Sequence, residues 1–199
     1  MRLFFGIFPP RQVQEALKTA QDKVAGYRGW KVGKTDQLHI TLLFLGETDE
    51  ARLPELRELG RRVASTVPAF QVQLGGTGYF PASGAPRVWF VKALGDGLEP
   101  LAAALRQALP EAEGKEKFHP HLTLARKKSP APRVAPLTLD LAFQAREVCL
   151  VESTLDPRGS QYRVLERFVL KGQGVAGRRP QAAGQDQEAV LLNHSSREA

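Results

Sequence analysis

The sequence predicts an α+β fold: bilobal, with two pseudo-symmetric lobes and largely antiparallel sheets around a central cleft. Three observations carry this reading. Helical and strand-like segments alternate without strict βαβ order, and no strand leads into a glycine-rich phosphate loop, which argues against a doubly wound sheet. A weak internal repeat runs strand, helix, then Leu-His-Ile-Thr-Leu-Leu in the first half, and strand, helix, then His-Leu-Thr-Leu in the second. The chain has 199 residues, 42% apolar and 25% charged, an ordinary globular balance that can bury a core and excludes wholesale disorder.

The elements follow in order. Residues 2–8 are apolar and β-rich and read as a strand. Residues 10–25 carry Val13, Leu17, Ala20 and Val24 at helical spacing behind Pro9-Pro10, which suits a helix start. Residues 38–45 form a strand between Asp36-Gln37 and Gly46, and 50–67 a helix with Leu53, Leu56, Leu59 and Val63 on one face. Residues 70–80 alternate as a strand (Phe70, Val72, Leu74) and then meet glycines that predict a bulge or bend. A strand at 87–93, a helix at 97–109 with a Leu98, Leu101, Leu105, Leu109 stripe, and strands at 121–126, 137–143, 147–154 and 163–170 complete the body. The domain is thus expected over residues 1–171. Residues 172–199 are rich in Gly, Gln, Ala and Ser, lack aromatics and show no period, so a mostly disordered tail is expected, with one docked turn at most over 189–192.

Charge narrows the function. Lys and Arg total 28 against 21 Asp and Glu, a net +7, and the tail's charges cancel, so the excess sits on the body. Basic proteins attract polyanions, nucleic acid foremost, although a solubilising surface is the plain alternative. The single cysteine, Cys149, cannot form an internal disulfide, and no cysteine cluster exists to hold zinc or an iron–sulfur centre. The opening MRLFFGIFPPRQ is too short for a signal peptide or a membrane span. A soluble, cytoplasmic monomer without membrane association is expected.

Two of the four histidines, His39 and His121, open the pattern His–apolar–Thr–Leu. With nine threonines in the chain, two such pairs arise by chance on the order of 1% of the time. In a strand, residues i and i+2 share a face, so His39 and Thr41 lie side by side while Ile40 and Leu42 face a core; His121 and Thr123 do the same against Leu122 and Leu124. If the lobes face each other, two imidazoles and two hydroxyls surround one point. One imidazole can take a proton from an attacking oxygen while the other gives one to a leaving oxygen, and hydroxyls can hold the non-bridging oxygens of a phosphodiester. Arg126 falls on the opposite face of an ideal strand but could reach a phosphate from the strand end; a solvated terminal arginine is the competing reading. Structural histidines, or a metal held through the His119-x-His121 pair, are the alternatives. No Asp or Glu lies in either motif, which disfavours a metal, and His119 before Pro120 reads as a supporting residue. Basic groups (Arg57, Arg61, Arg62; Lys115, Lys117, Arg126, Lys127, Lys128) could bind a nucleic-acid backbone, and Trp30, Phe44 and Tyr79 could stack a base; solvated faces and core packing are the competing readings.

The segments LHITLLFLGE (38–47) and FHPHLTLAR (118–126) resemble the two H-x-T-x motifs of the 2H phosphoesterase superfamily, closest to its LigT-like branch of RNA 2′,3′-cyclic phosphodiesterases, also called 2′–5′ RNA ligases. RLFFGIFPP and LVESTLDPRGSQYRVLERFVL also look like that branch, and the resemblance spans roughly 1–171. It implies a bilobal fold with both motifs in a central cleft and metal-independent opening of a 2′,3′-cyclic phosphate to a 2′-phosphate, with no cofactor. Carried over, His39 protonates the departing 3′ oxygen, His121 activates water, and Thr41 and Thr123 bind phosphate. ATP-independent 2′–5′ ligation follows if a 5′-hydroxyl replaces water. The implied partner is RNA with a cyclic phosphate end, tRNA fragments included. A basic RNA-binding module without catalysis, and a 2H enzyme acting on another cyclic nucleotide-like substrate, are the competing functions.

Overall fold

Apolar alternation and helical stripes resolve into nine strands and three α-helices, with short 3₁₀ turns at Thr35–Gln37 and Glu50–Arg52, among the described residues of a computed structural model, which are 1–112, 117–155 and 160–172. The strands are β1 (Arg2–Ile7), β2 (Trp30–Val32), β3 (Ile40–Glu47), β4 (Phe70–Phe80), β5 (Val88–Leu94), β6 (His121–Lys127), β7 (Leu141–Ala145), β8 (Glu147–Thr154) and β9 (Gln161–Val169). The helices are α1 (Arg11–Ala25), α2 (Leu53–Ala64) and α3 (Leu98–Ala108). The expected tail, with its docked turn, lies outside the described residues beyond Gly172.

The strands join in one sheet of order β7-β4-β5-β6-β3-β1-β8-β9, with β2 paired to β6, and every strand pair is antiparallel. The α+β class and its antiparallel character stand as expected. The two halves are continuous: four strands on each side meet at a seam between β3 and β6, registered at Ile40↔Leu122. Each half holds a strand–helix–motif-strand unit, β1-α1-β3 and β5-α3-β6, in which the first strand pairs with the motif strand and the two motif strands meet at the seam, which is the pseudo-two-fold the repeat predicts.

Helices tie the halves together. α1 follows β1 yet packs on β2, β6 and β7 of the other half; α3 follows β5 yet packs on β3 and against α2, which covers β8 and β9. Their stripes (Val13, Leu17, Ala20, Val24; Leu56, Leu59, Val63; Leu98, Leu101, Leu105) are buried in one core with Leu3, Phe5, Ile40, Leu122, Leu150 and Trp89. A second apolar group (Phe4, Cys149, Val151, with Phe8, Phe44, Tyr162 and Val164 around it) covers the opposite face of β1, β8 and β9.

Three strand expectations shift. β2 is only three residues long, too short for alternation to reveal. β3 begins at Ile40, so His39 stands at its entrance. The strand expected at 137–143 becomes regular only at Leu141. Residues 137–139 lie beside the glycine bulge of β4, where Leu137 exchanges hydrogen bonds with Thr77 and the Leu139 N–H donates to the Gly75 carbonyl.

Both motif strands carry the same irregularity. Against β1, β3 gains an extra residue between Thr41 and Leu43; against β5, β6 gains one between Thr123 and Ala125. Leu42-Leu43 and Leu124-Ala125 are therefore both buried, and the strand returns to its original face one residue late. In β6 the Leu124 carbonyl turns to α1: the Gln21 side chain, 2% exposed, donates to it at 3.0 Å and to the Gly33 carbonyl at 2.9 Å. Gln21→Leu should leave part of that buried polarity unmatched and cost about 1–3 kcal/mol, read as a lower urea midpoint at unchanged slope.

Candidate functional site

Antiparallel pairing at Ile40↔Leu122 sets His39 opposite Thr123 and Thr41 opposite His121. Ile40 and Leu122 are 0% exposed, so alternation turns the four polar side chains to the other face. There they line one cavity of about 260 Å³, with Lys31, Lys34, Gln161, Tyr162 and Arg126 around them. The structure thus brings together all five residues singled out from sequence. Diagonal neighbours on adjacent strands sit ~7–8 Å apart, the spacing that leaves one tetrahedral group room between two imidazoles.

Arg126 requires a correction. An ideal strand puts it opposite Thr123, but the bulge at Leu124 shifts the parity, and Arg126 lines the same cavity as the histidines. The fifth residue after His39, reached across the matching bulge, is Phe44, with the Arg2 guanidinium 4.9 Å from its ring centroid.

Each imidazole is held in the same way. His39 Nδ1 is 2.7 Å from the Gln37 carbonyl oxygen, and His121 Nδ1 is 2.6 Å from that of His119. A carbonyl only accepts, so Nδ1 donates in both rings and Nε2 is left for the cavity. His119 supports the site through its main chain. Aromatic rings box each imidazole: Phe4 is stacked on His39 at 4.7 Å with Tyr162 edge-on at 4.9 Å, while Phe80 and Phe90 stand edge-on to His121 at 5.0 and 5.2 Å.

This burial sets the protonation. His39 is pushed down from 6.5 to about 4, chiefly by loss of solvent, with Arg126 and His121 adding repulsion against the Gln37 bond that favours the charged form. His121 is also lowered, by loss of solvent first and then by Arg126 and His119, against the bond to the His119 carbonyl. The cleft therefore sets two imidazoles that resist protonation beside a guanidinium, a field that an anion balances.

A second cavity of about 780 Å³ shares Thr41, His121, Thr123 and Arg126 with the first; His39 is not among its described lining. None of the described residues lining either cavity is acidic. Lys117 and Lys127 of the expected basic cluster line the larger cavity, Lys128 does not, and Lys115 lies outside the described residues. Arg57 and Arg61 of α2 are ion-paired with Glu166 and Glu58, on the helical side of the sheet, so that group is corrected to a paired helix face; its third member, Arg62, is exposed on the same helix. Of the three aromatics proposed to stack a base, only Phe44 lines a cavity. The Trp30 indole donates to the Pro132 carbonyl and the Tyr79 hydroxyl binds the Val134 backbone, which makes both structural. Sequence reasoning missed Tyr162, Lys31 and Lys34. Lys31 lies within β2 and Lys34 just after it, a strand too short to read, and Tyr162 is marked only by alternation in the last strand.

Among the described residues no group of three or more His, Cys, Asp or Glu is arranged to hold a metal ion, and no helix is long and apolar enough to cross a membrane.

Fold and site together define a class: a pseudo-symmetric α+β protein whose two halves each supply one His-x-Thr pair to a basic, anion-seeking cleft. The chain belongs to the 2′-5′ RNA ligase superfamily, whose family model matches residues 8–157. It is 47% identical over 182 residues to an RNA 2′,3′-cyclic phosphodiesterase of Thermus thermophilus, covering 87% of this chain and 92% of the relative. An RNA 2′,3′-cyclic phosphodiesterase of Archaeoglobus fulgidus is 32% identical over 177 residues, covering 84% and 99%. Among solved structures, one from Thermus thermophilus matches with a TM-score of 0.83 at 46% identity, covering 87% of this chain and 100% of that one. E. coli LigT complexed with 3′-AMP matches at 0.74 and 29% identity, covering 85% and 97%.

The His39 pKa fixes a dependence of stability on pH. Between 6.5 and about 4 the unfolded imidazole binds a proton that the folded one refuses. Falling pH through this window therefore favours unfolding, and above it both forms are neutral. Urea midpoints should fall from pH 7 to pH 4, and His39→Gln should flatten the part of the loss that lies in that window.

Proposed function

We propose that this protein is an RNA 2′,3′-cyclic phosphodiesterase in which His39 and His121 act as a paired acid and base. One observation carries the reading: both His-x-Thr pairs open on a single cavity, each with Nδ1 committed to a carbonyl and Nε2 without a hydrogen-bond partner among the described residues. The relatives named RNA 2′,3′-cyclic phosphodiesterase support the substrate, since they cover nearly their whole length and most of this chain.

The cyclic phosphate sits between the rings. Thr41 and Thr123 donate to its non-bridging oxygens, and Arg126 balances its charge as the pentacoordinate state forms. His121 Nε2 takes a proton from water as that water attacks phosphorus. The P–O3′ bond breaks on the far side, and His39, protonated at Nε2, delivers its proton to O3′. The product is a 2′-phosphate with a free 3′-hydroxyl. The roles follow the family resemblance, with His39 as acid. Since the free His39 ring is neutral, the phosphate anion must itself raise its pKa, so protonation of the acid accompanies binding. The described lining supplies no carboxylate or thiolate for a divalent metal, which supports metal-independent chemistry. The same step with an RNA 5′-hydroxyl in place of water forms a 2′–5′ bond without ATP.

His39→Ala and His121→Ala should each lower kcat/KM on a nucleoside 2′,3′-cyclic phosphate by several orders of magnitude while melting cooperatively, and EDTA should leave the wild-type rate unchanged. Both rate profiles should be bell-shaped, with apparent pKa values belonging to the pair. The profile of kcat should lie at higher pH than that of kcat/KM, because bound phosphate favours the imidazolium. Full activity in both alanine variants would reject the paired mechanism. RNA binding without turnover would favour a binding module, and a substrate panel separates RNA ends from other cyclic nucleotides.

A further inference from the structure

We propose that Gln21, a buried amide on α1 outside the cleft, is a positioning residue for Arg126: it holds the β6 bulge that aims the guanidinium at the phosphate. The inference rests on the reading above, in which Arg126 balances the phosphate charge, and adds what keeps that arginine in place.

The bulge leaves a polar group to be matched. Between Thr123 and Ala125 the ladder to β5 skips Leu124, and on the other side β2 ends at Val32, opposite Ala125. Leu124 is 0% exposed, so its carbonyl needs donors from the protein rather than from water. Two reach it: the Gly33 N–H at 3.2 Å and the Gln21 side chain at 3.0 Å. The same Gln21 nitrogen donates its other hydrogen to the Gly33 carbonyl at 2.9 Å, and the Thr35 hydroxyl donates to Gln21 Oε1 at 3.2 Å. Both amide hydrogens and the amide oxygen are thus engaged. One side chain from a helix pins the bulge to the segment that follows β2.

What the bulge decides is where Arg126 points. A regular strand puts Arg126 on the face opposite Thr123; the extra residue returns it to the face of His121 and Thr123. Without Gln21 the Leu124 carbonyl keeps only the bond from Gly33. The bulge can then relax toward regular pairing, which withdraws the guanidinium from the cleft.

The pseudo-two-fold supplies an internal comparison. α1 buries Leu17, Ala20, Gln21 and Val24, and α3 buries Leu98, Leu101, Ala102 and Leu105 at the same spacing. Each helix packs on the motif strand of the other half, so Ala102 stands over β3 where Gln21 stands over β6. Beyond the β3 bulge the residue that reaches a cavity wall is Phe44, which carries no charge. Of the two corresponding helix positions, the amide occupies the one whose bulge aims a cation.

The test is a double-mutant cycle on phosphate binding. A nucleoside 2′-monophosphate is titrated calorimetrically against wild type, Gln21→Leu, Arg126→Met and the double variant, with hydrolysis of a nucleoside 2′,3′-cyclic phosphate measured alongside. Gln21→Leu should bind the monophosphate about tenfold more weakly than wild type, and in the Arg126→Met background the same change should cost less than about twofold, because no guanidinium is left to aim. Gln14→Leu removes another buried amide of α1, one that donates to the Asp36 carbonyl at 3.3 Å, and should keep affinity within about twofold of wild type. Thr35→Val takes one bond from the Gln21 amide and should weaken binding about two- to threefold, again only while Arg126 is present. It carries the test if Gln21→Leu does not fold. Full affinity in the variant that carries the test, an equal loss in Gln14→Leu, or a loss undiminished without Arg126 would overturn the positioning role. If Arg126→Met binds as wild type does, the role given to Arg126 fails and this inference with it. If wild type binds the monophosphate but turns over no cyclic phosphate, the catalytic reading fails, while the cycle still decides whether Gln21 acts through Arg126.

Discussion

The backbone pair at Ile40 and Leu122 is the constraint from which the site follows. It is where the two halves of the sheet meet, and both of its side chains are fully buried. Because strand side chains alternate, burying those two residues obliges the residues on either side of each to face the cleft. A slip of one residue would bury the imidazoles and expose the apolar pair, so the hydrophobic core enforces the register that sets His39 beside Thr123 and Thr41 beside His121. The helices reinforce it: α1 and α3 each leave one half and pack on the other, so the halves cannot part without opening the core.

The cleft's electrostatics come from the same packing. Aromatic rings drawn from β1, β4, β5 and β9 exclude water from both imidazoles, and Arg126 adds repulsion, so each ring is easier to keep neutral than a free histidine. A site in this state is completed by a bound anion, which balances the guanidinium and favours the imidazolium. In the proposed mechanism, substrate binding and protonation of the acid are therefore linked, and neither ring needs a carboxylate partner to be oriented, because the main-chain carbonyls of Gln37 and His119 already fix Nδ1. The approximate two-fold supplies two matched His-x-Thr pairs, one for each end of the proposed in-line displacement. Its departure at Arg126 and Phe44 makes the two halves of the cleft chemically different.

Most of the fold was legible. Helical stripes at Val13–Val24, Leu56–Val63 and Leu98–Leu105, and alternation in the longer strands, reflect one-sided burial that any amphipathic element must show. The repeat around His39 and His121 pointed to a pseudo-two-fold, and the paired motifs named the four central side chains. Less legible were β2, too short for a period to register, and the late start of β7, where hydrogen bonds to the β4 bulge displace regular pairing. The basic group on α2 misled because its partner Glu166 is distant in sequence.

The sequence alone determined the chemistry on offer: two His-x-Thr pairs, an excess of positive charge, and which residues must be buried. Tertiary structure decided the geometry. It joined the expected lobes into one sheet, opened a second cavity, and turned Arg126 into the cleft. That turn is written locally as two consecutive apolar residues after each threonine, Leu42-Leu43 and Leu124-Ala125. A broken alternation becomes a bulge only when the neighbouring strand keeps its own count, and that partner is chosen by contacts far apart in the chain.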